Sequence, residues 1–405
     1  MDYNIVAQML ELDGINITHI EILDDSIHIC VKSDAESECQ KCHSKNVYVH
    51  SIYIREDVRD RSICNKKCYL DIEVRVIACK DCGEKRHEKF NFVESYAHQT
   101  NRYKEYIAKL GFELDISSIS VMEDVGYKTV EQILKSYVHK NKPNGISECR
   151  RIGIDEFANR KGHKNFCTLI ADLDKSKPLA VLPDRKEETI RRYFSMLPLE
   201  QREKITEVSL DMWSTFINLA REFFHNARIV IDRFHVMQHV SKVMDKIRVV
   251  DYKQLTGEEK KQVKGIRWIM NKRSSKLIEI EKDILNKWFS LTNKSKKAYR
   301  LKEEFVKIMD KTTDIKKGKM LLESWIVKVE KLKTKKAISF VKTFRKRLEY
   351  IINYFHANTT NATLEGMINK VKSIKRRAFG VPNPYNMATR IFLGFQDKNC
   401  LYSRM

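Results

Sequence analysis

Between Arg151 and Ile231 the sequence lays down short apolar runs and helical runs in an order that few architectures accommodate. Arg151 to Ile154, Phe166 to Ala171 and Leu179 to Leu182 read as strands. Helical spacing follows from Glu187 to Met196, then a strand from Glu207 to Leu210. A helix through Phe216, Leu219, Ala220 and Phe223 and a strand from Ala227 to Ile231 complete the series. Three strands, a helix, a strand, a helix and a strand predict an α/β sheet with helices packed on it. Two acids punctuate the series: Asp155 ends the first strand and Asp211 the fourth.

That order is the order of the ribonuclease H-like fold, in which the first and fourth strands are neighbours and their carboxylates meet. A third acid, Glu365, sits at the start of the basic helical run Asn361 to Arg377. On a helix, positions 365, 368, 369, 372 and 376 line one face. Glu365 is thus expected to share a face with Asn369, Lys372 and Arg376, the last two being cations suited to a phosphodiester lying along the helix. Magnesium takes oxygen ligands from one or two carboxylates plus substrate phosphate. Two such ions, about 4 Å apart, serve an attacking and a leaving oxygen. Asp155, Asp211 and Glu365 are therefore the candidate catalytic and Mg²⁺-binding acids, with Mn²⁺ as the substitute ion. Asp232 and His235, three apart after the last strand, are candidates for a supporting hydrogen bond beside the metals. The plainer readings are a strand-end cap for each Asp, a helix-dipole role for Glu365 and a helix-start role for His235.

Composition points to the partner. The 405 residues carry a formal net charge of +22, which argues for a polyanion such as DNA. No apolar run approaches a membrane span and no signal peptide is evident, so a cytoplasmic, nucleoid-associated protein is expected. The ten cysteines do not suggest a secreted disulfide framework, because four form two Cys-x-x-Cys pairs. Cys39/Cys42 and Cys79/Cys82 bracket strand-rich sequence, the layout of a zinc ribbon with one structural Zn²⁺ held by four thiolates. Cys64, Cys68 and His87 are read as bystanders.

From Asn101 to Lys140 the spacing turns helical, with Gly126 in a turn before a helix that starts near Thr129. This is a helix-turn-helix pattern, whose second helix offers Lys128, Thr129, Gln132 and Lys135 to DNA. Asn141-Lys142-Pro143-Asn144-Gly145 reads as a linker. The expected divisions are a zinc-ribbon-like part (1–98), a helix-turn-helix (99–145) and a catalytic domain (151–250 and 354–390). The catalytic domain is interrupted by an α-helical insertion (251–353), and a tail (391–405) follows. In the insertion, Trp268, Trp288 and Trp325 recur at helical spacing and are expected in the core.

The chain resembles the ISL-three family of bacterial insertion-sequence DDE transposases. The resemblance rests on the two cysteine pairs, the helix-turn-helix, Gly153 to Ala158 with Lys161-Gly162-His163, Asp211-Met212 and Asp232 to Val236. Asn361 to Gly366 and Ile374 to Gly380 complete it. It implies a zinc-finger and helix-turn-helix module on transposon ends and the triad Asp155, Asp211 and Glu365. It fits Asp232 and His235 to an auxiliary Asp-x-x-His motif. The basic residues Lys372, Lys375, Arg376 and Arg377 are then expected on DNA. Water would cut the element's end, and the freed 3′-hydroxyl would attack target DNA. A homodimer or larger synaptic assembly on double-stranded ends and target is implied. The alternatives are a domesticated, non-catalytic DNA-binding repressor and a ribonuclease H-like nuclease that cuts without joining.

Overall fold

The structure is a computed structural model that describes residues 3–10, 12, 14–34, 38–142, 145–146, 148–160, 165–356, 362–378 and 380–396. Lys161-Gly162-His163, Asn361, Phe379 and most of the tail lie outside the described residues. The chain is mixed α/β and divides into two compact units, one of Met1–Asn141 together with the segment from Gln396 and one spanning Lys142–Phe395. No helix among the described residues is long and apolar enough to cross a membrane.

In the first unit, β1 (Ile15–Ile22), β2 (Ser26–Ser33), β3 (Val47–Ile63) and β4 (Lys66–Cys79) form a sheet in the order β1-β2-β4-β3. The short β5 (Lys85–His87) pairs with β4. β3 and β4 form one long hairpin whose two-residue turn, Cys64-Asn65, has positive φ at both residues, the twist that tight hairpins favour. Cys64 is exposed in that turn and Cys68 is buried in the sheet core. None of the described cysteines forms a disulfide.

Three helices follow, Asn101–Leu110, Ile116–Glu123 and Tyr127–Asn141. Tyr103, Ile107, Ile119, Val130, Ile133 and Leu134 are among their buried apolar residues. The fully buried Asp60 of β3 ties the first helix to the sheet. It accepts from Thr100 Oγ1 at 2.7 Å and from Arg102 Nε at 2.8 Å. A buried carboxylate held this way loses little by leaving water, whereas either partner alone would be costly.

The second unit is built on β6 (Arg151–Ala158), β7 (Phe166–Asp172), β8 (Lys177–Leu182), β9 (Glu207–Leu210) and β10 (Arg228–Ile231). The sheet order is β10-β9-β6-β7-β8, with β6, β7 and β8 antiparallel and β6, β9 and β10 parallel. Side chains alternate across β6. Ile152 and Ile154 join the core beneath helices Glu187–Ser195, Ser214–Phe223 and Arg233–Lys253. Phe157 joins a second core on the opposite face, with Leu364, Met367, Ile368, Val371 and Ile374 of helix Ala362–Arg377. The sheet is thus covered on both faces.

Residues 251–353 are helical as expected, but they share the continuous core of the sheet. Asn353 Nδ2 donates to the Ile229 carbonyl of β10 at 2.8 Å, where the helical region returns to the sheet. Trp288 and Trp325 are fully buried. Trp268 departs from the expectation: it is 68% exposed. Gly265, in the left-handed conformation, starts the short helix Ile266–Asn271, whose buried residues are Ile266, Ile269 and Met270 rather than the tryptophan.

Candidate functional site

Hydrogen-bond register brings the acids of the second unit to one level. Ile154 of β6 pairs with Leu210 of β9, and Leu210 pairs with Ile231 of β10. The next residue on each strand is an acid: Asp155, Asp211 and Asp232. Three carboxylates therefore stand at the carboxyl ends of three adjacent parallel strands, where open α/β sheets place their ligands. The end of β6 differs from expectation. The strand does not stop at Asp155; it continues to Ala158 because β7 still pairs with it there, and only the β9 edge ends at Ile154. Asp155 is consequently held on a paired strand, with its side chain on the Gly153 and Phe157 face, that of helix Ala362–Arg377.

Each acid is oriented by the backbone. Asp155 Oδ1 accepts from the Glu156 amide at 2.7 Å, and Asp211 Oδ1 from the Trp213 amide at 2.7 Å. Asp232 caps helix Arg233–Lys253 by accepting from the Phe234 amide at 2.9 Å. Asp232, not His235, is therefore the helix cap. His235, in the first helical turn, lies between two carboxylates. Its Nε2 is 3.9 Å from Asp155 Oδ1 and 3.8 Å from Asp232 Oδ2.

The cluster is electrostatically unbalanced. Burial raises the Asp155 carboxyl to about 6, His235 opposes the rise, and Asp211 and Asp232 add to it. Burial likewise raises Asp211, against the Trp213 amide and His235. Two residues that the sequence reading did not single out contribute. Arg347, from the helical region, faces Asp211 electrostatically. Arg185 pairs with Glu156 at 2.8 Å and lies over the rings of Phe166 and Trp213. No spacing rule marks either residue, because both reach the site across the tertiary fold.

The donor chemistry is that of a hard divalent cation: neighbouring carboxylates, with Asp211 and Asp232 both disfavouring the charged form of Asp155. A stability prediction follows from Asp155. Its carboxyl is raised from the ordinary 3.8 to about 6, so the metal-free fold holds a proton that the unfolded chain releases. Stability then falls as pH rises through that window, by at most about 3 kcal/mol. Asp155→Asn removes the charge. Expected in thermal unfolding is a metal-free variant more stable than wild type at pH 8 and indistinguishable at pH 4, with Mg²⁺ stabilising wild type only.

Glu365 is exposed on helix Ala362–Arg377, along with Asn369, Lys372 and Arg376. Ile368, expected on that face, is instead buried, because Leu364, Met367, Ile368 and Val371 form the stripe that packs on the sheet. Glu365 lines a cleft of about 650 Å³ together with Asp232. Among the described residues, the ligand atoms of Asp155, Asp211 and Glu365 do not all gather within 4.8 Å of one another. Asp155 and Asp211 stand side by side, and Glu365 stands at the cleft. Of the basic residues on this helix, Arg377 is exposed, and Lys375 is engaged within the fold, donating from Nζ to the Ala158 carbonyl at 2.5 Å.

In the first unit, the ligand atoms of Cys39, Cys42, Cys79 and Cys82 all lie within 4.8 Å of one another. The two pairs form matching turns. His43 and Gly83 both have positive φ and donate to the Cys39 and Cys79 carbonyls at 2.8 and 3.0 Å. Asp81 joins the turns, accepting from Ser44 Oγ at 2.5 Å and Asn46 Nδ2 at 2.7 Å. Backbone amides of Cys42 and Lys41 lower the Cys39 thiol to about 6. Sulfur separations of 3.5 Å (Cys39–Cys82) and 3.7 Å (Cys42–Cys79) match the roughly 3.8 Å edge of a tetrahedron with Zn–S bonds of about 2.3 Å. Expected is one zinc per chain by elemental analysis, falling well below stoichiometry in Cys42→Ser.

In helix Tyr127–Asn141, Lys128, Gln132 and Lys135 are exposed and Thr129 is half-buried, while Val130, Ile133, Leu134 and Val138 are buried. The polar face is therefore presented outward. Lys135 also pairs with Glu131 at 3.4 Å.

Two comparisons bear on this arrangement. The sequence profile of the ISL3 DDE transposase family, described as "Transposase", matches residues 152–391. That span contains all three strand-end acids and Glu365. The chain is also 24% identical over 392 residues to the transposase for insertion sequence element IS1001 of Bordetella parapertussis, covering 94% of this chain and 95% of that protein. From the first strand of the second sheet to its last helix, the match follows the elements that assemble the acids: this chain belongs to the ISL3 family of transposases.

Proposed function

We propose that this transposase is a ribonuclease H-like, Mg²⁺-dependent DNA-cutting and strand-joining enzyme acting at the ends of an insertion sequence. The observation that carries the reading is the register Ile154–Leu210–Ile231, which sets Asp155, Asp211 and Asp232 abreast where the parallel pairing of the three strands ends. Asp155 and Asp211 would hold the metal, and Glu365 would join them from the cleft once ion and substrate are present. Bound there, two divalent ions would supply a low-pKa nucleophile and neutralise charge in an in-line displacement. His235, between Asp155 and Asp232, would orient both carboxylates. Arg347 would offset the charge of Asp211. The exposed face of helix Tyr127–Asn141 and the exposed Lys372 and Arg376 would contact DNA backbone, and the zinc turns would hold the end-binding unit in shape. A synaptic dimer or larger assembly would hold both ends.

The test uses purified protein, Mg²⁺ and labelled duplexes from both native flanks, with wild type beside Glu365→Gln. Expected is cleavage at one discrete position followed by joining to a second duplex, both lost in the variant. Salt-sensitive end binding without cleavage by wild type would favour the repressor reading, and cleavage without joining would favour the nuclease.

A further inference from the structure

We propose that the cleft beside Asp232 and Glu365 receives a single nucleotide turned out of the DNA duplex, with its base against Phe234. The inference rests on the DNA-cutting reading and adds the position of the substrate. The cleft measures about 650 Å³, within the range of small-ligand sites and far too small for a duplex. Two carboxylates of the candidate site line it, so a nucleotide next to a phosphodiester engaged at the Asp155–Asp211 metal position would enter it.

The walls suit a base. Phe234 is 46% exposed although it lies in the first turn of a helix between Asp232 and His235. An exposed aromatic ring beside catalytic acids has a face free for stacking, and every base has a matching face. Val306 and Tyr354, both buried, add apolar surface. The charges suit a phosphate. Arg233 and Arg273 share Asp310, whereas Lys242 is exposed and, among the described residues, makes no ion pair or hydrogen bond. A cleft with one aromatic platform, apolar walls and a free cation is the recognition chemistry of an unstacked nucleotide.

The experiment uses the full-length, zinc-loaded protein and end duplexes carrying 2-aminopurine singly at each position flanking the cut, with Ca²⁺ holding the uncut complex. Expected is a several-fold rise in emission at one position with wild type and its loss with Phe234→Ala. On ordinary DNA in Mg²⁺, Phe234→Ala should cut roughly tenfold to a hundredfold more slowly. An abasic nucleotide at the responsive position should bring the two proteins to equal rates, an effect that a merely structural role of Phe234 would not produce. Efficient cleavage by wild type with no emission change at any position would overturn the proposal and leave the enzymatic reading standing. Equal loss by Phe234→Ala on abasic and ordinary DNA would also overturn it. Failure of wild type to cut any end duplex would remove both readings.

Discussion

Asp211→Asn is expected to reduce DNA-end cleavage by about a thousandfold or more while leaving end binding nearly unchanged. The Oδ1 of Asn can still accept from the Trp213 amide, so the turn after β9 keeps its hydrogen bond. The substitution removes charge and little else. Metal-assisted stabilisation of a phosphoryl transition state is worth several kcal/mol, and about 4 kcal/mol corresponds to a thousandfold at 1.36 kcal/mol per decade. Burial already disfavours the charged carboxyl at this position, so the metal-free variant should be at least as stable as wild type. The measurement is the cleavage rate on labelled ends beside a binding isotherm. Cleavage within about tenfold of wild type would remove Asp211 from the catalytic set.

Gly153→Val is expected to lower cleavage by about a hundredfold without touching a carboxylate. A Cβ at Gly153 would lie 2.8 Å from Leu173 Cδ2 and 3.0 Å from both methyls of Leu364. Leu364 precedes Glu365 on helix Ala362–Arg377. The missing side chain thus lets that helix lie close over β6, two residues before Asp155. Overpacking of this kind costs about 1–3 kcal/mol and moves backbone. A displacement near 1 Å at a catalytic group costs roughly a hundredfold. Gly153→Ala should be milder, since the crowded atoms are the ends of two leucine side chains. Leu364→Ala in the same chain should restore much of the lost rate, because it vacates the space that valine fills. If the single Val variant cuts at the wild-type rate, or the second substitution gives no recovery, helix placement does not depend on Gly153.

The strands and helices that carry Asp155 and Asp211 were legible because hydrophobic periodicity and chain punctuation are local properties. Glu207 to Leu210 alternates polar and apolar residues, a strand pattern, and Asp211 ends it. The cysteine pairs were equally legible, since thiolate spacing within a turn depends on a few residues. Glu365 was visible as an acid opening a basic helix. Its face excludes Ile368, which packs on the sheet, because helical periodicity ranks faces without saying which one meets the sheet.

What the sequence by itself determined is the set of chemical groups and their local setting: three acids that each follow an apolar strand-like run, an acid on a basic helix, two thiolate pairs and a positive charge suited to DNA. Each follows from interactions within a few residues of one another. What only the tertiary structure decided is their mutual placement. The register that puts Asp155, Asp211 and Asp232 abreast is set by backbone hydrogen bonds between strands distant in sequence. His235 between two carboxylates, Arg347 facing Asp211, and Leu364 against Gly153 are likewise long-range encounters. They arise because burying both faces of one sheet forces these elements together, and side-chain pattern alone carries no record of which neighbour each will meet.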